Sequence, residues 1–304
     1  MNARERYLAF RRTLPPRPPL ERLTVRSRGI DFAVWRTPAI AGATPLVCIN
    51  GGLIFDHGLL WPALAPLAQR RQLILYDQRG RGASSAPPGV RASRIEFDAG
   101  DVPALRGALG LTSWDVLGHS WGGGIAMLAT AADPAGVRRL VLVNAVGVSS
   151  DWLPVLHANA LARLRGDARD RLASLDVAAL NEMDLAPHAT YARAFFPAWF
   201  ADPAFADAVA PPMGTSETGA VVASRLRREG YDWRDQLRDV ATPTLVVHGA
   251  ADVLPLAEAV RTSETLRAAR LVVLDGAGHN PFWEAAAEFF RVVDAFLEDR
   301  PPDP

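Results

Sequence analysis

WDVLGHSWGG, residues 114–123, is the stretch that decides the fold of this 304-residue chain. An apolar run leads into the pattern G-x-S-x-G, formed by Gly118, Ser120 and Gly122, and a helix-favouring run follows directly. Glycines beside the serine allow a turn from strand to helix that is too sharp for larger side chains. Such a turn holds the serine hydroxyl above a sheet, at the positive end of a helix. The stretch therefore predicts that Ser120 is a nucleophile.

Segments typical of strands and helices alternate on both sides of this stretch. The run 140–143 is wholly apolar, as in a strand that is buried on both faces of a parallel sheet. Regular alternation of strands and helices predicts the α/β class. Helices are expected at 61–70 and, as the last one, at 281–297. Eight strands are predicted, at 23–28, 30–35, 46–50, 72–76, 114–117, 140–143, 244–248 and 271–274.

The alternation stops between residue 145 and about residue 239. Helical stretches rich in Ala, Arg and Asp replace it, and the prolines that break them are Pro154, Pro187, Pro197, Pro203, Pro211 and Pro212. We therefore expect a helical insertion, 145–239, between the two parts of one core, 20–144 and 240–299. Residues 15–19 read PPRPP, which favours an extended conformation and separates an N-terminal arm, 1–19. The Arg-rich start of this arm is expected as a short helix or a flexible segment.

Composition and charge exclude several classes of function. The 33 basic and 33 acidic residues balance, so no net field attracts nucleic acid or an anionic membrane surface. Residues 1–12 lack the apolar core of a signal peptide, and no later run approaches the roughly 20 apolar residues that span a bilayer. We expect a cytoplasmic protein with neither nucleic acid nor membrane as a partner. Cys48 is the only cysteine, which excludes an intrachain disulfide, and its apolar surroundings predict burial.

A serine hydroxyl is a poor nucleophile until a base removes its proton. Asp252 and His279 each follow a predicted strand, in the chain order Ser, Asp, His. Each residue alone could instead be a helix cap, but together with Ser120 they predict a triad. His279 is the predicted general base, and Asp252 is the acid that orients it. The other position for the acid, after strand 140–143, holds Asn144, whose amide cannot stabilise an imidazolium as a charge would.

The oxyanion formed in acyl transfer needs backbone amides as donors. One predicted donor is the amide of Trp121, the residue after the nucleophile. The second should come from the glycine turn after strand 46–50, where we favour the amide of Gly52, with that of Leu53 as the alternative. His157 and His188, in the insertion, are expected to be exposed. No set of His, Asp and Glu has the spacing of a metal site, so neither a metal nor a cofactor is expected.

Over residues 20–297 the sequence resembles the α/β-hydrolase superfamily, and within it the branch of proline iminopeptidases, the S33 peptidase group. DQRGRGAS at 77–84 is similar to the branch's DQRG-x-G-x-S segment, and residues 118–123 and the loops of Asp252 and His279 also match. The resemblance implies an α/β-hydrolase fold, with a mostly parallel eight-stranded sheet flanked by helices and with 145–239 as a lid. The branch's glycine turn HGGPG reads NGGLI here, at 50–54, a departure that bears on peptidase specificity more than on hydrolysis.

The resemblance implies a serine hydrolase that forms an acyl-enzyme with a small ester, amide or short peptide. The same triad would also serve C–C bond hydrolysis, acyl transfer or cofactor-free perhydrolysis. A module that only binds a small ligand would be expected to have lost a triad residue. Iminopeptidases bind the substrate's free amine through lid carboxylates. The sequence does not say which acidic lid residues face the pocket, and those considered are Asp151, Glu182, Asp184 and Glu217.

Overall fold

A computed structural model describes residues 2–209 and 213–300, so Pro211 and Pro212 of the predicted insertion lie outside the described residues. Within these ranges eight strands form one sheet, in the order β1-β2-β4-β3-β5-β6-β7-β8. The β1–β2 and β2–β4 pairs are antiparallel, and all other pairs are parallel. The predicted mostly parallel eight-stranded sheet is confirmed. The strands are β1 Glu21–Ser27, β2 Ile30–Arg36, β3 Leu46–Ile49, β4 Leu73–Tyr76, β5 Trp114–His119, β6 Val137–Val143, β7 Thr244–Gly249 and β8 Ala269–Leu274.

Helices cover both faces of the sheet, which is why its central strands are continuous apolar runs. Alternate residues of a strand point to opposite faces. Val116 of β5 therefore packs in one apolar cluster with Ile125, and the next residue, Leu117, packs in a second cluster with Phe289. Cys48 is buried on β3 as predicted, and burial raises the pKa of its thiol to about 12.

The helices lie where the alternating pattern places them, with two differences. The predicted helix 281–297 is interrupted at Ala285, and the segment 61–70 forms only a 3-10 helix, Ala65–Gln69, since Pro62 and Pro66 lack the amide hydrogens of a regular helix. The α-helices are α1 Ala3–Arg12, α2 Ile95–Ala108, α3 Trp121–Ala132, α4 Leu153–Arg163, α5 Gly166–Ala173, α6 Leu185–Phe195, α7 Glu217–Glu229, α8 Arg234–Leu237, α9 Leu256–Thr265, α10 Pro281–Glu284 and α11 Ala286–Leu297.

The described part of 145–239 is helical and irregular, with α4 to α8 and several 3-10 turns. Leu164, Leu172 and Phe195 form a small apolar cluster of their own, and Val253 joins it from the loop after β7. This contact brings the insertion against the carboxyl edge of the sheet, where the strands of the predicted site end.

The N-terminal segment forms a capped helix. Asn2 and Glu5 make a reciprocal capping box at the start of α1, with distances of 2.9 and 3.0 Å. Phe10 stacks on Phe290 of α11, with ring centroids 5.7 Å apart. Of the two alternatives left open by the sequence, the start of the arm is therefore the short helix. Across residues 2–209 and 213–300, every helix is too short or too polar to cross a membrane.

Candidate active site

Ser120 lies at the turn between β5 and α3, with φ 56° and ψ −123°, a conformation rarely adopted by residues other than glycine. A Cβ on Gly118 would lie 2.4 Å from the carbonyl oxygen of Gly122, and one on Gly122 would lie 2.1 Å from that of Ile49. Both glycines are therefore required for the close approach of β5, α3 and β3. The amide of Ser120 donates to the carbonyl of Val143 at 3.0 Å, which fixes the turn.

His279 and Asp252 lie in the loops after β8 and β7, and their side chains meet. Nδ1 of His279 donates to Oδ2 of Asp252 at 2.8 Å, and the two side chains are 5% and 0% exposed. The Leu254 amide donates to the second carboxylate oxygen at 3.1 Å. Because Nδ1 carries the proton, Nε2 of the neutral imidazole keeps a free lone pair.

Asn144, whose amide cannot serve as the acid of the triad, holds Asp252 in place. Its side-chain amide donates to Oδ2 of Asp252 at 2.7 Å and to the carbonyl oxygen of Gly278 at 3.2 Å. Burial alone would raise the pKa of Asp252, but the nearby His279 and the hydrogen bonds from His279 and Asn144 hold that pKa below its ordinary value. The carboxylate is therefore ionised at neutral pH.

The insertion contacts His279 directly. The Trp199 ring stacks on the imidazole of His279, with ring centroids 3.9 Å apart. The backbone carbonyl of Trp199 accepts a hydrogen bond from the backbone amide of His279 at 2.7 Å. Glu284 accepts hydrogen bonds from the amides of Gly278 and Ala201, both at 2.8 Å, and burial raises the pKa of this carboxyl group to about 7. These bonds hold residues 199–201 of the insertion against the loop of His279.

His119 is buried beneath the turn, at 2% exposed. Its Nε2 donates to the carbonyl oxygen of His279 at 2.9 Å. Burial, assisted by the nearby His279, lowers the pKa of His119 to about 3. The ring is therefore neutral and supports the His279 loop without carrying charge.

Ser120 and His279 line the same cavity, of about 170 Å³, whose walls come from the core and from the insertion. Gly52, Leu53 and Trp121 also line it. Among the backbone hydrogen bonds of turns and loops in residues 2–209 and 213–300, the amides of these three residues donate none. All three are thus available to a ligand, so Gly52 and Leu53 both remain alternatives. The apolar walls are formed by Leu59, Val146, Trp152, Leu153, Leu156, Leu180, Ala192, Phe195, Phe196, Ala223 and Leu254.

The charged lining differs from the one that the iminopeptidase resemblance implies. In the part of the chain that the structure describes, no Asp or Glu lines the cavity, and the lid carboxylates Asp151, Glu182, Asp184 and Glu217 are all exposed. The lining includes instead Arg227 of α7, a residue that no sequence pattern singles out. The expectation for His188 was wrong: it is 7% exposed and lines the cavity, because α6 packs it inward. His157, also expected to be exposed, is half-buried, so that expectation was wrong as well.

Asp56, His57 and Asp77 are close enough to hold a metal ion, with ligand atoms within 4.8 Å of one another. Their oxygens already accept hydrogen bonds, however. Asp77 accepts from the amide and ring of His57, at 3.0 and 2.8 Å, and from the amide of Ala83 at 2.7 Å. Asp56 accepts from the amide of Gly58 at 2.8 Å. These bonds brace the turn of the DQRG segment, so the group is structural.

Residues 44–286 match the family described as alpha/beta hydrolase fold, and the chain belongs to this family. A curated relative, the proline iminopeptidase of Lactobacillus delbrueckii subsp. bulgaricus, is 25% identical over 293 residues, covering 90% of this chain and 98% of the relative. The crystal structure of VinJ is similar with a TM-score of 0.73 and 25% identity, covering 93% of this chain and 100% of that one. The predicted resemblance to proline iminopeptidases is confirmed, and the protein is a hydrolase.

The crystal structure of the proline iminopeptidase of Mycobacterium smegmatis has the same fold. Its TM-score is 0.68 and its identity 23%, covering 92% of this chain and 98% of that one. At this identity the likeness is one of fold, so the chemistry of the present site has to be argued from its own residues.

Proposed function

We propose that the protein is a serine hydrolase that moves the acyl group of a small ester, amide or short peptide first to Ser120 and then to water. One observation carries the proposal. Ser120, on a strained turn, lines the same cavity as His279, whose Nδ1 donates to the buried Asp252 at 2.8 Å. This pairing leaves Nε2 of His279 as the base, which is the arrangement that activates a serine hydroxyl.

In the first half-reaction, Ser120 Oγ attacks the carbonyl carbon while Nε2 of His279 accepts its proton. The carbonyl oxygen becomes an oxyanion, which the amides of Trp121 and of Gly52 or Leu53 would stabilise. His279 then gives the proton to the leaving alcohol or amine, the C–O or C–N bond breaks, and the acyl group remains on Ser120 as an ester.

In the second half-reaction, water repeats the attack on the acyl-enzyme. His279 accepts a proton from water and returns it to Ser120 Oγ, which releases the carboxylic acid. Asp252 stays ionised throughout and stabilises the imidazolium that forms in both halves. The low pKa of Asp252, held by His279 and Asn144, suits this role.

Kinetics with p-nitrophenyl butyrate and L-prolyl-p-nitroanilide test the proposal. We expect wild-type turnover of the ester, a loss of about 10⁴-fold or more in kcat for Ser120→Ala and His279→Ala, and a comparable loss for Asp252→Asn. Ser113→Ala is the matched control, because Ser113 is half-buried just before β5 and makes no part of the cavity lining. Ester hydrolysis by Ser120→Ala at the wild-type rate would contradict the proposal.

A further inference from the structure

Arg227 lies in the wall of the cavity and forms no ion pair within residues 2–209 and 213–300. It lies four residues after Ala223 on α7, and both side chains line the cavity from one face of the helix. Arg227 is half-buried, and its buried Nε has no hydrogen-bond partner among the residues that the structure describes. Burial lowers the pKa of its guanidinium, and no carboxylate among the described residues acts on that pKa.

Two arginines that are more deeply buried, Arg71 and Arg81, show what Arg227 lacks. Arg81 pairs with Asp98 at 2.8 Å, with both side chains 0% exposed, and Arg71 pairs with Asp294 at 2.8 Å. A guanidinium removed from water is unfavourable until hydrogen bonds and an opposite charge compensate it. Arg139 and Arg225 also have an Nε without a partner, but each forms an ion pair through another nitrogen. Arg227 forms no ion pair with any described residue, and a carboxylate in the cavity would supply both the hydrogen bonds and the opposite charge.

The surroundings of Arg227 are neutral groups that form hydrogen bonds. Burial lowers the pKa of His157, and the nearby charge of Arg227 lowers it further. Burial also lowers the pKa of His188; the hydrogen bond to the Glu182 carbonyl raises it, and the Arg227 charge lowers it. Both rings are therefore neutral at pH 7. The Tyr191 hydroxyl hydrogen-bonds to Nδ1 of His157 at 3.1 Å. One positive charge thus lies beside neutral side chains and apolar walls.

We propose that Arg227 binds a carboxylate of the substrate, so that the preferred acyl groups are chains that end in a carboxylate. The inference rests on the proposed acyl transfer to Ser120 and deepens it. A planar guanidinium binds a carboxylate through two parallel hydrogen bonds. One guanidinium balances the single charge of a carboxylate, whereas a phosphate dianion would keep an uncompensated charge in an apolar cavity. A free amine would meet a like charge, and the described residues place no Asp or Glu in the lining to bind it.

Paired substrates test this specificity. The mono-p-nitrophenyl esters of adipic, suberic and sebacic acids carry a free carboxylate at increasing distances, and their methyl esters are the neutral counterparts. We expect kcat/KM to favour the acid over its methyl ester by roughly 10- to 100-fold at the best chain length, the range of a charged hydrogen bond. Arg227→Met should bring this ratio close to one.

Arg228→Met is the matched control. Arg228 is exposed and shares the last turn of α7 with Arg227, so its removal alters the helix end in the same way without touching the cavity. It should keep the wild-type ratio. A wild type that prefers the methyl esters, or an Arg227→Met variant that keeps the acid preference, overturns the inference.

Calorimetry with monomethyl suberate separates this inference from the proposed function. Ser120→Ala cannot form an acyl-enzyme, so this variant reports carboxylate binding alone. We expect binding to Ser120→Ala and at least tenfold weaker binding to Ser120→Ala/Arg227→Met. If folded Ser120→Ala does not bind the probe, or binds it equally without Arg227, the carboxylate site is wrong even if Ser120 is the nucleophile. If binding of the probe depends on Arg227, but ester turnover does not depend on Ser120, then only the proposed function is overturned.

Discussion

Asn144 holds the acid of the proposed triad, and its replacement by glycine isolates that contribution. Asn144 has a φ of 43°, in the left-handed region that glycine adopts without strain. Asn144→Gly therefore keeps the backbone conformation and removes the donors to Asp252 Oδ2, at 2.7 Å, and to the Gly278 carbonyl, at 3.2 Å.

The magnitude follows from the charge of the acceptor. A hydrogen bond to a buried ionised carboxylate contributes about 1.5–3 kcal/mol, and losing it raises the pKa of Asp252. If the same bond also holds Asp252 against His279 in the transition state, kcat should fall by roughly 10- to 100-fold. The free energy of unfolding should fall by about 2–4 kcal/mol, because the neutral 3.2 Å bond to the Gly278 carbonyl is lost as well.

Ester kinetics and urea unfolding measure both effects. Asn144 acts on catalysis through the Asp252 carboxylate, so removing that carboxylate in Asp252→Asn sets the largest decrease in kcat that can be expected. Asn144→Gly should therefore lose less activity than Asp252→Asn. Adding Asn144→Gly to Asp252→Asn should cost little further activity, because the carboxylate it supports is already gone. A folded Asn144→Gly variant with wild-type kcat would refute the reasoning, as would losses that simply add in the double variant.

Two further predictions concern stability. Gly122→Ala should lower the free energy of unfolding, measured by urea denaturation, by about 3 kcal/mol, since its Cβ would lie 2.1 Å from a backbone carbonyl oxygen. The control is Gly107→Ala on α2, which should be neutral or stabilising because its Cβ meets nothing within 4 Å. Equal losses of stability in the two variants would contradict the argument. Glu284 has a folded-state pKa of about 7 against an ordinary 4.5, so the folded state binds its proton more tightly and loses stability as pH rises through about 7. The decline from about pH 5.5 to about pH 8 should be about 2 kcal/mol larger in the wild type than in Glu284→Gln, and identical pH profiles would refute this.

Local patterns were enough to predict the fold and the positions around Ser120. The glycines of G-x-S-x-G report a close backbone approach, which is a property of a few neighbouring residues. Asp252 and His279 could be selected because each follows a strand, and the ends of parallel strands share one edge of the sheet. Asn144 was recognised only as an unsuitable acid, since its hydrogen bond to Asp252 joins two distant loops.

The residues that the sequence did not reveal lie mainly in the insertion. Trp199, His188 and Arg227 reach the cavity through the packing of short helices, and nothing periodic in 145–239 indicates which side faces inward. The second oxyanion donor is open for a related reason. The amides of Gly52 and Leu53 are adjacent in one tight turn, and the position of the bound oxyanion decides between them.

Covalent labelling tests the central claim, that Ser120 is the nucleophile, most directly. The wild type is treated with a fluorophosphonate probe, digested, and mapped by mass spectrometry, with Ser113→Ala and Ser120→Ala treated alongside. The account predicts one equivalent of adduct on the peptide that contains Ser120 in the wild type and in Ser113→Ala, and none in Ser120→Ala. A folded wild type that hydrolyses esters but carries no adduct, or carries it on another residue, would contradict the account.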